Sequence, residues 1–134
     1  MLTHLLDTSV YSQRLRPKPI PSVIERWKEL GDAALAVSSI CEAELHYGLS
    51  KKNSSRLWKE YKSYLENRLV LLPVDKRVSE CFGFLKTEME SQGETRADFD
   101  LLIAATAIVH RLKLVTLNHR HFVGIPELKL EAWQ

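Results

Sequence analysis

Cysteine is nearly absent from this chain, with only Cys41 and Cys81 among 134 residues. Two isolated thiols in helical-looking segments build neither a zinc site nor a disulfide framework, and they point to a reducing cytoplasm. No uninterrupted apolar run approaches the ~18 residues of a membrane span. The opening MLTHLLDTSV has no basic start and reaches Asp7 almost at once, which argues against a secretory signal. There is no internal repeat, no low-complexity tract and no long linker. Neither sign of charge dominates, since 19 Lys and Arg face 17 Asp and Glu for a net charge of +2. What remains is a chain with 45% hydrophobic residues, enough to bury a core as one domain spanning 1–134.

The distribution of charge says more than its total. Basic residues gather at Arg14, Arg16 and Lys18, at Lys51, Lys52, Arg56, Lys59 and Lys62, and at Arg111, Lys113, His119, Arg120 and His121. Singly, each reads as part of a solvated helix face. Clustered beside acidic motifs, they suit a site that holds a metal and accepts a polyanion.

Short apolar runs alternate with helical patterns along the chain. Residues 2–6, 34–39, 70–74 and 113–117 read as strands, and LKLEAW near the end as an edge strand. Between them come a short helix in SVYSQRL, a helix opened by Pro21 and stopped by Gly31, and ICEAELHYGLSK capped by Ser38 or Ser39. A helix over 53–68, one from Asp75 to about Ser91 and the apolar DLLIAATAIVHRL complete the series. This alternation predicts an α/β fold with a mainly parallel sheet of four to five strands flanked by helices.

Four positions at the edges of apolar runs carry the candidate chemistry. Asp7 ends the first strand, and ligands of open parallel sheets collect outside the carboxyl ends of strands. It is equally suited to cap a helix, and Thr8 and Ser9 supply hydroxyls able to orient a carboxylate. Glu44 lies within a helix among Ile40, Cys41, Ala43, Tyr47 and Gly48, which places it on the inward face. Glu42 is turned by roughly 200° from Glu44 and is expected to be exposed. Asp100 opens an apolar helix and shares a face with Ile103, Ala104 and Ala107, while Asp98 makes the natural N-cap. Thr116 and Asn118 end the fourth strand, where Asn can coordinate through its carbonyl or simply serve a turn. His119 and His121, two residues apart in a loop, read as surface or phosphate-contacting groups. Carboxylates gathered in one cleft repel each other, and a hard divalent cation relieves that repulsion.

The motifs LLDTSV, SSICEAELHYG, FDLLIAATA and LVTLNHRHF, in that order, resemble those of VapC-type toxins of the PIN-domain ribonuclease family over essentially the whole chain. The resemblance implies a toxin–antitoxin ribonuclease that cleaves RNA by metal-activated water. It assigns Asp7, Glu44 and Asp100 as catalytic acids around Mg2+ or Mn2+, with Asn118, Ser9 and Thr116 in support. It further implies a homodimer bound to a small antitoxin whose C-terminal segment blocks the site. Two departures stand out: His121 occupies a position where an acid is common, and Ser9 one where Asn is frequent. A non-catalytic PIN-like binding module is the alternative. A phospho-acceptor domain of the receiver type fits poorly, because Asp7 has no paired acid beside it.

Overall fold

The central strands over His4–Leu6 and Leu35–Ser38 are short and buried along their whole length, as in a parallel sheet covered on both faces, whereas Val70 and Leu71 of the edge strand over Val70–Leu72 are exposed. The computed structural model describes residues 1–134. The chain runs β1 (His4–Leu6), α1 (Thr8–Tyr11), α2 (Pro21–Leu30), β2 (Leu35–Ser38), α3 (Ser39–Lys52), α4 (Ser55–Tyr64), β3 (Val70–Leu72), α5 (Lys76–Ser91), α6 (Asp98–Val109), β4 (Lys113–Val115), α7 (His119–Phe122) and β5 (Leu130–Glu131). The strands form one sheet in the order β3-β2-β1-β4-β5, and every pairing is parallel. Leu5 of β1 pairs with Ala36 on one side and Leu114 on the other.

That order reverses direction at β1. The chain winds outward to β2 and β3, then returns to lay β4 on the other side of β1. The carboxyl ends of β1 and β4 therefore flank the switch point, where the connecting segments diverge and leave a crevice.

Thirty buried apolar residues form a single core. Leu5, Leu6, Leu35, Ala36 and Leu114 fill the sheet layer and are fully buried. Each buried Leu contributes roughly 1.5–3 kcal/mol relative to an exposed one. α6 presses Leu101, Ile103, Ala104, Ala105 and Ala107 into this core. Its small residues let the helix lie close to its neighbours, and Asp100 stands in its first turn.

Local chemistry sets most boundaries. Ser38 ends β2 and accepts the Cys41 amide as the cap of α3, and Asp75 accepts the Val78 amide as the cap of α5. Asn53 closes α3 in the left-handed conformation at φ 49°, a role Asn tolerates better than most residues. Ser54 then caps α4, so the helix expected over 53–68 spans only Ser55–Tyr64. The expected helix in SVYSQRL divides into α1 and a 3-10 turn over Ser12–Leu15. The cap of α6 is Ala97, not Asp98, whose carboxylate instead accepts a bond from Lys86 Nζ at 2.9 Å. No helix is long and apolar enough to cross a membrane.

Candidate functional site

Asp7 is the first residue past β1, and its amide still bonds the Val115 carbonyl at 3.0 Å, extending the ladder to β4. Its side chain is only 4% exposed. Oδ1 accepts Ser9 Oγ at 2.6 Å and the Val10 amide at 3.1 Å, and Oδ2 accepts Thr116 Oγ1 at 2.5 Å. Asp7 is thus both the cap of α1 and a fixed carboxylate at the switch point. Ser9 and Thr116 are in turn anchored by the amides of Leu117 and Asn118, at 3.0 and 2.9 Å. Every donor to Asp7 is neutral. Burial in this setting pushes its carboxyl above the ordinary value, against the pull of these bonds.

Asp100 sits half-buried in the first turn of α6. Burial also raises its pKa; the facing His121 opposes this, and the nearby charge of Asp7 adds to it. His121 Nδ1 lies 3.3 Å from Asp100 Oδ2, so the imidazole stands against the carboxylate.

Glu44 projects from α3 and accepts Thr8 Oγ1 at 2.5 Å. Thr8 follows Asp7 directly, which ties the second acid to the first. The apolar neighbourhood expected for Glu44 is only partial, since Tyr47 is 67% exposed; the hydroxyl of Thr8 is what orders the side chain. Asn118 is exposed and its side chain makes no hydrogen bond; its amide belongs to the Thr116 anchor.

Glu42 corrects one expectation. It is half-buried rather than exposed, accepting Tyr11 Oη at 2.8 Å and a short bond from Tyr61 Oη, with His46 Nε2 at 3.1 Å. Burial and the adjacent carboxylate raise the pKa of both tyrosines. This cluster ties α3 to α1 and α4 through Tyr11 and Tyr61, whereas Glu44 bonds Thr8 one turn earlier on α1, and it was invisible to local pattern reading.

No three His, Cys, Asp or Glu side chains converge as a closed ligand set, and Glu44 and Asp100 line different depressions. Their chemistry nevertheless fits a hard cation. All three offer oxygen, and neither Asp7 nor Glu44 is paired with a basic side chain. Mg2+ characteristically keeps several waters and takes one or two carboxylates, so an open set of this kind suits it better than a dedicated cage would. Two depressions flank the acids. One, of about 320 Å³, runs along α3 from Glu44 past Gly48 to Lys52. The other, of about 310 Å³, is bounded by Thr95, Arg96, Ala97, Asp100, Arg120 and His121.

A five-stranded parallel sheet with a buried aspartate at its switch point defines an α/β protein of the open parallel-sheet class, and residues 4–127 match the family model for the PIN domain. The chain belongs to the PIN-domain family. Its relatives include VapC proteins: it is 33% identical to Ribonuclease VapC2 of Rickettsia felis, with 98% of each chain covered. It is 30% identical to the tRNA(fMet)-specific endonuclease VapC of Shigella flexneri, with 99% of each covered. Among solved structures, VapBC2 of Rickettsia felis bound to a DNA fragment from their promoter matches with a TM-score of 0.89 at 32% identity, covering 99% of this chain and 100% of that one. FitAcB of Neisseria gonorrhoeae matches with a TM-score of 0.86 at 25% identity, covering 96% and 97%.

Proposed function

We propose that this protein is the toxin of a VapBC-like toxin–antitoxin pair and hydrolyses RNA phosphodiester bonds at Asp7, Glu44 and Asp100 with the help of Mg2+ or Mn2+. The observation that carries the reading is the state of Asp7. It is buried at the sheet's switch point, held by neutral donors alone, and close enough to Asp100 for the two charges to interact. A fold gains nothing in stability from uncompensated buried charge, so a carboxylate kept in this condition suits a ligand of opposite sign.

Asp7 and Asp100 would hold the cation, with Glu44 completing the charge. When bound, such an ion lowers the pKa of water and offsets charge gathering on phosphoryl oxygens. The chain's own residues supply orientation. Ser9 and Thr116 fix both oxygens of Asp7, Thr8 fixes Glu44, and His121 stands against Asp100. Arg16, Lys52 and Arg120 lie at the borders of the two depressions, where cations favour an RNA backbone.

The same reading extends to partners. VapBC and FitAcB neighbours support a small antitoxin as the cognate inhibitor, and a homodimer is proposed with it. The test is cleavage of bulk transfer RNA with Mg2+, Mn2+ or EDTA. The wild type should cut only with metal, and Asp7→Asn or Asp100→Asn should not cut while remaining folded by circular dichroism. Undiminished cleavage by either variant sinks the site assignment, and RNA binding without any cleavage by the wild type leaves a binding module.

A further inference from the structure

Arg96 lies in the loop between α5 and α6, and its side chain is only 18% exposed. Nη2 donates to the Val123 carbonyl at 2.9 Å, across 27 residues of sequence, and Nη1 donates to the adjacent Thr95 carbonyl at 3.1 Å. Nε is buried without a partner. The one carboxylate within reach, Glu94 at 3.5 Å, is about half exposed, and such pairs contribute little. Stability alone is a poor reason to withdraw a guanidinium from water in this way.

The carbonyl that Arg96 holds directly follows α7. That helix is a single turn of four residues, too short to persist on its own hydrogen bonds. Phe122 and Ile125 are buried and set its depth against the core. The bond from Arg96 is the one hydrogen bond that ties residues 119–125 to another element; the rest run within residues 118–128. Gly124 turns the chain at φ 85°, and a Cβ there would lie 3.9 Å from Nη2, so the turn passes close beneath the guanidinium.

α7 carries His121, whose Nδ1 lies 3.3 Å from Asp100 Oδ2. Arg96, His121 and Asp100 border the same depression. The charges that act on the Asp100 carboxyl are those of His121 and Asp7, and Arg96 is not among them. Its route to Asp100 is therefore through the position of α7.

We propose that Arg96 is a positioning residue for the metal site: by holding the Val123 carbonyl it keeps α7 docked beside α6, so that His121 stands against Asp100 and orients its carboxylate. The inference rests on the reading of Asp100 as a metal-binding acid and adds the residue that sets it. Partners that orient a ligating carboxylate typically matter tenfold or more in metal affinity. Charge alone makes the opposite demand, because removing a cation beside a divalent-ion site should tighten binding.

Arg96→Met keeps the apolar stem and removes the guanidinium. In EDTA, amide exchange at His121, Val123 and Ile125 should quicken about tenfold, with α3 and α5 unchanged. Mn2+ affinity, from isothermal calorimetry, should fall about tenfold. In a His121→Ala background the same substitution should alter that affinity by less than about twofold. Unchanged exchange, or Mn2+ affinity at or above the wild-type level, overturns the proposal. So does a loss of equal size with and without His121. If Arg96→Met does not fold, Arg96→Lys keeps the charge without the planar fork and should still lose affinity several-fold; wild-type affinity there overturns the proposal equally. Mn2+ binding without RNA cleavage by the wild type defeats the hydrolytic reading alone, whereas no Mn2+ binding by the wild type defeats the metal reading and this inference with it.

Discussion

Thr8 Oγ1 donates to Glu44 Oε1 at 2.5 Å across 36 residues of sequence, and this bond joins the strand-end aspartate to the helical glutamate. Thr8→Val removes the donor at nearly constant volume. Stability should change by only about 0.5–1.5 kcal/mol, read from urea unfolding. RNA cleavage should fall about tenfold, because Glu44 is no longer held in place. Thr8→Ser, which keeps the hydroxyl, should recover most of the loss.

Asp7 should cost the metal-free protein stability at neutral pH. Its folded pKa is raised by burial, so the folded state binds more protons than the unfolded state in the window from about 3.8 up to the raised folded value. Stability therefore falls as pH rises through that window and stays lowered above it. Asp7→Asn removes this penalty. Its melting temperature in EDTA should exceed that of the wild type at pH 7, and the gap should close on acidification to pH 4. A variant no more stable than wild type at pH 7 would contradict the assignment of burial as the dominant influence.

Divalent cations should reverse that order. A ligand that binds only the folded state stabilises by RT ln(1 + [L]/Kd), or about 2.7 kcal/mol at a hundredfold excess over Kd. Titration with Mn2+ should raise the wild-type melting temperature progressively and leave Asp7→Asn unmoved. Scanning calorimetry with and without EDTA checks both.

His121→Asp should strengthen metal binding. His121 faces Asp100 at 3.3 Å, and an aspartate there adds a hard oxygen donor to an open carboxylate set. Isothermal calorimetry should show Mg2+ affinity several-fold higher than in the wild type. Equal affinities would mean that this position lies outside the reach of the ion.

Glu42 tests the opposite property. Tyr11→Phe and Tyr61→Phe each remove a donor from a half-buried carboxylate, which should cost about 1–3 kcal/mol in urea unfolding. Metal-dependent RNA cleavage by whatever protein stays folded should remain within about twofold of wild type, since neither tyrosine hydroxyl bonds Asp7, Glu44 or Asp100.

Much of the fold was legible because strand ends and helix starts coincide in the sequence. Leu6 to Asp7, Ser38 to Ser39 and Asp75 to Lys76 each pair a buried run or loop with a residue that caps the next helix. α6 announced itself by apolar density. What escaped notice depends on partners remote in sequence. Asp98 looked like a cap, but Lys86 on α5 draws its side chain away and Ala97 takes the cap position. Helical rotation did separate Glu42 from Glu44. It could not reveal that Tyr11 and Tyr61, 31 and 19 residues away, cover Glu42. Glu44 was singled out for apolar neighbours, yet its ordering comes from Thr8, which no periodicity connects to it.

The bond from Thr116 to Asp7 spans 109 residues, and β4 must dock against β1 before it can form. A ribosome-bound chain that has not yet emitted residues 113–116 has Asp7 and Glu44 but lacks the strand that locks the first carboxylate. Local helices can form early, whereas this closure waits for contacts between the two ends of the sequence. For a protein proposed to attack RNA, such an order of events would keep the growing polypeptide unarmed beside the very molecules that are translating it.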